Sequence, residues 1–166
     1  MEAATQILIL DPLKNNFGDD IQKAEMLYDF LTITVKKEKI TDIIKYLHDD
    51  EQLKFRFLTD LCAVHYPDTK TIAVVYHLHS LVNNYRIRIK TYLDVENPVI
   101  STLTLLFPAA NWMERETYDF YGVVFKGHPN LKRILNVDDI LIFPMRKEYP
   151  LEDQTRQDKN DVMFGR

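Results

Sequence analysis

Residues 55–92 hold three apolar-rich runs, FRFLTDLCAVHY, TIAVVYHLH and YRIRIKTY, separated by PDTK and SLVNN. Each run has strand length, and the separators carry Pro-Asp and Asn-Asn, which favour tight turns. The third run alternates Tyr85, Ile87 and Ile89 with Arg86, Arg88 and Lys90. A strand of that pattern buries one face and leaves the other basic and solvated. An antiparallel meander follows, and its apolar face needs a cover.

Upstream residues supply that cover. Ile40, Ile43, Ile44 and Leu47 fall at i, i+3, i+4 and i+7, which predicts an amphipathic helix over Lys39–His48. Just before it, Leu31, Ile33 and Val35 alternate with Thr32, Thr34 and Lys36, which predicts a strand. Further back, Ile21, Ala24, Leu27 and Tyr28 stand near helical spacing, so Asp19–Phe30 is expected to be helical, after a loosely ordered first ten residues. The sum is an α+β fold of two layers, with helices packed on one face of a mixed or antiparallel sheet. All strands are expected to end before residue 114.

Composition narrows the function. The chain has 166 residues, is 46% hydrophobic and carries a net charge of −4. It can bury a core, and its acidity argues against non-specific nucleic-acid binding. A single cysteine, Cys62, excludes an internal disulfide, a cysteine-ligated zinc site and a self-contained iron–sulfur cluster. Set in FLTDLCAV, it is expected to be a buried, inert thiol. MEAATQILILDPLKNN is neither a signal peptide nor an Arg-rich transit peptide. No run approaches the roughly 20 apolar residues of a spanning helix; LTLLFPAA, the longest candidate, is broken by Pro108. A soluble chain is expected.

The densest chemistry lies in 114–135, ERETYDFYGVVFKGHPNLKRIL. Asn111 with Glu114 three residues on predicts a helix start. Arg115 and Asp119, four apart, are expected to pair on that helix, opposite an apolar face of Ala110, Met113, Thr117, Phe120 and Val124. Gly122 is expected to end it in a left-handed cap. Gly127-His128-Pro129 makes a turn, after which Asn130 caps a short helical turn over Leu131–Leu135. A catalytic carboxylate pair with His128 fails on geometry. Glu114 and Glu116 are two apart, hence about 200° apart around a helix. No nucleophile or phosphate cradle accompanies them.

The run from Trp112 through Glu114, Arg115, Glu116, Asp119, Gly122, Val123, Phe125, Gly127, His128, Pro129, Leu131, Arg133 and Ile134 to Leu135 closely resembles the signature of the C-subunit family (30-kDa type) of respiratory complex I. FPMRKEYP (143–150) is similar to that family's second segment, with Met145 and Glu148 in place of Leu and Asp. The resemblance implies a subunit of proton-translocating NADH:quinone oxidoreductase with no catalytic residue and no cofactor of its own. FMN and iron–sulfur clusters would sit in partner subunits. It implies docking against the D subunit near the quinone site and its cluster-bearing neighbours, through Glu114, Arg115, Glu116, His128, Arg146 and Lys147. Its place would be the cytoplasmic side of a bacterial inner membrane, peripheral, with membrane contact only through the complex. An equivalent subunit of a ferredoxin-dependent photosynthetic complex or a membrane-bound hydrogenase would match the same motif.

Three parts are expected: an α+β domain over 1–108, the signature helix and Gly-His-Pro corner over 109–135, and an extended docking arm over 136–166. In the arm, EDQTRQDKND has no apolar side chain, while VMFGR restores some, the pattern of a segment that orders on a partner. Elsewhere, His77, His79 and Asp60 offer a weak alternative, a free-standing metal site lacking a full ligand set. His48, at a helix end, has a structural role in the dipole field.

Overall fold

The computed structural model describes residues 2–150, with side chains from Leu8 onward. The end of the expected arm, 151–166, lies outside the described residues. Three strands follow the sequence closely: β3 (Phe57–Tyr66), β4 (Thr71–Ser80) and β5 (Tyr85–Asp94). They pair antiparallel in that order, while β2 (Phe30–Val35) joins β5 in parallel. With β1 (Ile21–Leu27) on its outer side, the mixed sheet runs β1-β2-β5-β4-β3.

One face of that sheet makes the core. Leu31, Ile33, Leu61, Val74, Tyr76, Leu78, Ile87 and Ile89 cluster there with α2 (Ile40–Asp49). All four periodic residues of α2, Ile40, Ile43, Ile44 and Leu47, are fully buried. Burying four such side chains contributes about 1.5–3 kcal/mol each before entropy is charged. The opposite face keeps Arg86 exposed and Arg88 and Lys90 half-buried.

The amino-terminal half departs from expectation twice. Residues 2–10 belong to α1 (Glu2–Phe17), which runs through Pro12 and buries Ile9 and Leu13, four apart, in the same core. The consecutive ILIL run shows no periodicity and conceals this helix. Asp19–Phe30 is mostly strand rather than helix. A bulge between Ile21 and Lys23 sets Ile21 opposite Val35 and Ala24 opposite Ile33. Residues three apart therefore share a face, and a bulged strand imitates helical spacing. A two-residue turn, Tyr28-Asp29, with φ of 50° and 65°, closes this hairpin.

One strand appears past residue 114, against expectation, paired with a short one before it. β6 (Val99–Ser101) pairs in parallel with β7 (Val124–Lys126), and α3 (Ala110–Tyr121) bridges them. Val124 thus sits in a strand, exposed, with Phe125 buried beside it. Helix α3 packs along β3, one of the two edge strands of the large sheet.

Candidate functional site: a corner built on buried charge

Helix α3 starts without a side-chain cap: Ala109 occupies the cap position and Asn111 lies inside the first turn. Glu114 does not stand near solvent to meet the dipole. It is fully buried and reaches out of the helix to accept the Leu103 N–H at 2.7 Å and to bond the Thr102 hydroxyl. Burial pushes its pKa up to about 7, only partly opposed by those two bonds. The same Thr102 hydroxyl lies 3.0 Å from that of Thr104. Thr102 has one proton to give: donated to Glu114, as the lowering effect of that bond on the Glu114 pKa requires, it leaves Thr102 to accept from the Thr104 hydroxyl.

One and a half turns later, Asp119 is equally buried and behaves oppositely. Its carboxylate accepts backbone N–H groups of Ile134 (3.1 Å), Leu135 (2.8 Å) and Asn136 (2.9 Å), the Asn136 side chain (3.0 Å) and the Arg133 guanidinium (2.8 Å). Burial alone would raise its pKa. The amides of Asn136 and Leu135, with Arg133, override that and hold it well below the usual carboxylate range. The expected Arg115–Asp119 pair does not form, because Asp119 is taken by Arg133. Arg115 donates instead to the carbonyls of Lys132 (3.1 Å) and Arg133 (3.0 Å) and stacks on Trp112. Nor do residues 131–135 form a helical turn: the amides of Ile134 and Leu135 are pulled onto Asp119.

Gly122 has φ of 77° and ends α3 as expected. It has a second role. A Cβ here would stand 2.6 Å from the Phe143 ring. Phe143 lies between the guanidinium groups of Arg133 (5.3 Å) and Arg146 (4.8 Å). Arg146 donates to the Tyr121 carbonyl at 2.8 Å, and Met145 N–H to that of Phe120, so the open carbonyl end of α3 is capped from the far segment. Lys147 N–H reaches buried His65 on β3 at 3.1 Å. Residues 136–150, placed in the arm by sequence, are therefore fastened to the domain.

The six sequence-selected residues thus divide. Glu114 and Arg115 are spent inside the chain, which corrects their assignment to a partner surface. Half-buried His128 joins Asn130 N–H to the Asn111 carbonyl, with its proton on Nε2. Arg146 is mostly covered, while Glu116 and Lys147 are exposed. Asp119, Arg133, Phe143 and His65 are structural anchors that spacing alone does not single out. His65 carries a visible signal, since it alternates with Leu61 and Ala63 on the core face. His77 does lie opposite Asp60, but Arg88 donates to its ring at 3.3 Å. Among the described residues no three metal-ligating groups converge. Cys62 is half-buried, its thiol pushed up to about 11 by burial and then by Asp60. His48 sits beside Asp49 at the end of α2 and edge-on to Phe107.

The anchored loop leaves apolar side chains outside. Leu135 and Val137 are each 66% exposed and Leu141 is 96% exposed. No helix among the described residues is long and apolar enough to cross a membrane.

Comparison with known proteins bears on this corner directly. Residues 33–155 match the model of the family described as respiratory-chain NADH dehydrogenase, 30 Kd subunit. The C subunit of the NADH-quinone oxidoreductase of Methylobacterium sp. (strain 4-46) is 41% identical over 159 residues, covering 93% of this chain and 74% of that one. Its counterpart from Citrifermentans bemidjiense is 43% identical, covering 87% and 89%. A solved trypsin-resistant fragment (1–134) of Nqo5 superposes with a TM-score of 0.65 at 27% identity, covering 79% of this chain and all of the fragment. The fold is shared with a chain of the membrane-bound sulfane sulfur reductase, an archaeal respiratory membrane complex (TM-score 0.75, 23% identity, 89% and 86% covered). This chain belongs to the family of the 30 kDa subunit of respiratory-chain NADH dehydrogenase, the C subunit of NADH-quinone oxidoreductase.

Proposed function

We propose that the chain is a non-catalytic peripheral-arm member of a proton-translocating NADH:quinone oxidoreductase. It braces the D subunit near the quinone site, while FMN and clusters reside in neighbouring chains. Through those neighbours it is held at the cytoplasmic side of a bacterial inner membrane. The observation that carries this reading is the loop over 134–145. Its backbone is locked by Asp119, Arg133 and the Phe120 carbonyl, yet Leu135, Val137 and Leu141 are exposed. A monomer gains nothing from exposing apolar side chains on a rigid loop, whereas a preorganised docking surface does. Glu116 and Lys147 are exposed as well and offer charge to a partner.

The test is a pull-down from detergent-solubilised membranes with an amino-terminal tag. Recovery of the D subunit with flavin- and cluster-bearing chains supports the reading, and Leu135→Asp with Leu141→Asp should abolish it. Truncation after Pro150 should weaken recovery if the terminal segment docks as well. Recovery of hydrogenase or ferredoxin-dependent partners would reassign the electron donor and keep the brace. Recovery of the chain alone would contradict it.

A further inference from the structure

The sheet face opposite the core carries a second surface that the corner does not explain. Of the six arginines among the described residues, four hold a carboxylate or backbone carbonyls: Arg56, Arg115, Arg133 and Arg146. The other two, Arg86 and Arg88, stand two apart on β5, followed by Lys90, and among the described residues none of the three makes an ion pair. Arg88 is held in place without being neutralised. Its guanidinium lies 5.0 Å from the Phe30 ring, and its Nε donates to the His77 ring at 3.3 Å. Burial first, and Arg88 second, lower the His77 pKa, which keeps that ring an acceptor. Among the described residues the two terminal amino groups of Arg88 make no hydrogen bond, and terminal guanidinium donors are well placed to grip a carboxylate in bidentate fashion.

The carboxylates of this face do not fill the role. Glu25 is taken by Lys23 at 2.7 Å, Asp60 lies two strands away opposite His77, and Asp94 accepts the Glu96 N–H at the strand end. Beside the ridge, Phe30, Thr59, His79 and Arg86 border a cavity of about 130 Å³.

We infer that Arg86, Arg88 and Lys90 form a docking ridge for an extended, carboxylate-bearing segment of a neighbouring subunit. Charge complementarity decides the occupant. Alternate residues of a strand repeat at roughly 6.5–7 Å, and alternate side chains of an extended partner repeat at the same interval. Asp or Glu at every second position would therefore meet the ridge charge for charge, and a flanking apolar side chain would enter the cavity. A guanidinium already fixed by Phe30 and His77 loses little freedom on binding.

This inference rests on the proposed membership in a multi-subunit complex, and the experiment separates the two. The tagged complex is treated with a carbodiimide, which joins an amine to a carboxylate only in direct contact. Lys90 should be recovered linked to an Asp or Glu of another subunit. Arg86→Glu with Arg88→Glu should remove that link and lower co-purification roughly tenfold, more at low salt than at high. An unchanged melting temperature of the free variant would show that the fold is intact. If the complex is recovered but Lys90 links only within its own chain, or the double variant assembles normally, the ridge proposal is wrong and complex membership stands. Binding of the free chain to phosphatidylglycerol vesicles through these residues, with no protein link, would assign the ridge to lipid and overturn the proposal. Failure to recover any complex would overturn both.

Discussion

Two carboxylates on one helix, five residues apart and both fully buried, have had their pKa values driven in opposite directions. Glu114 meets one amide and one hydroxyl and no cation, so desolvation wins and its pKa climbs to about 7. Asp119 meets four amide donors, three of them backbone, and an arginine, so hydrogen bonding wins and it stays ionised. Burial is common to both, and the number of donors decides the outcome. Glu114 ties α3 to the loop before it. Asp119 folds the loop after it.

The largest effect should come from breaking the charged member. Asp119→Ala leaves Arg133 without its carboxylate partner and four loop amide bonds, three of them backbone, unmade, which should cost about 3–5 kcal/mol, read as a fall in chemical-denaturation midpoint. The Asp119 contribution is present above the ordinary carboxylate pKa and is lost only as pH falls through its depressed value. Glu114 has the reverse sign. Its folded pKa exceeds its unfolded one, so the folded state binds the extra proton and stability declines as pH rises from about 4.5 to about 7. Glu114→Gln should flatten that decline, worth roughly 3 kcal/mol, in denaturation curves across the window. Next comes Gly122→Ala, which meets both a positive φ and the Phe143 ring and should cost about 2 kcal/mol in thermal unfolding. Glu116→Ala, between the buried pair in sequence yet exposed, should change the free chain's stability by less than about 0.5 kcal/mol.

Much of the fold is written in local pattern. The meander, α2 and the Gly122 cap follow from period and turn chemistry, because the signal and the structure span the same few residues. The bulged β1 does not, since its extra residue gives Ile21 and Ala24 the spacing of a helix. The partner of Asp119 escapes local reading for a related reason. Spacing of four makes Arg115 the natural mate, but burial selects the groups that can bring the most donors, and those come from Arg133–Asn136. Phe143 against Gly122 is a contact between segments that no local rule joins. The family signature marks the right residues, while their roles emerge only from which side chains point inward.

The most direct measurement is quinone reduction per assembled complex for a chain carrying Asp119→Asn, with assembly quantified in the same membranes. If the corner's charges build a docking joint, fewer complexes will form and each will turn over at the unmodified rate. Full assembly with slowed turnover would contradict that reading and place Asp119 in the chemistry.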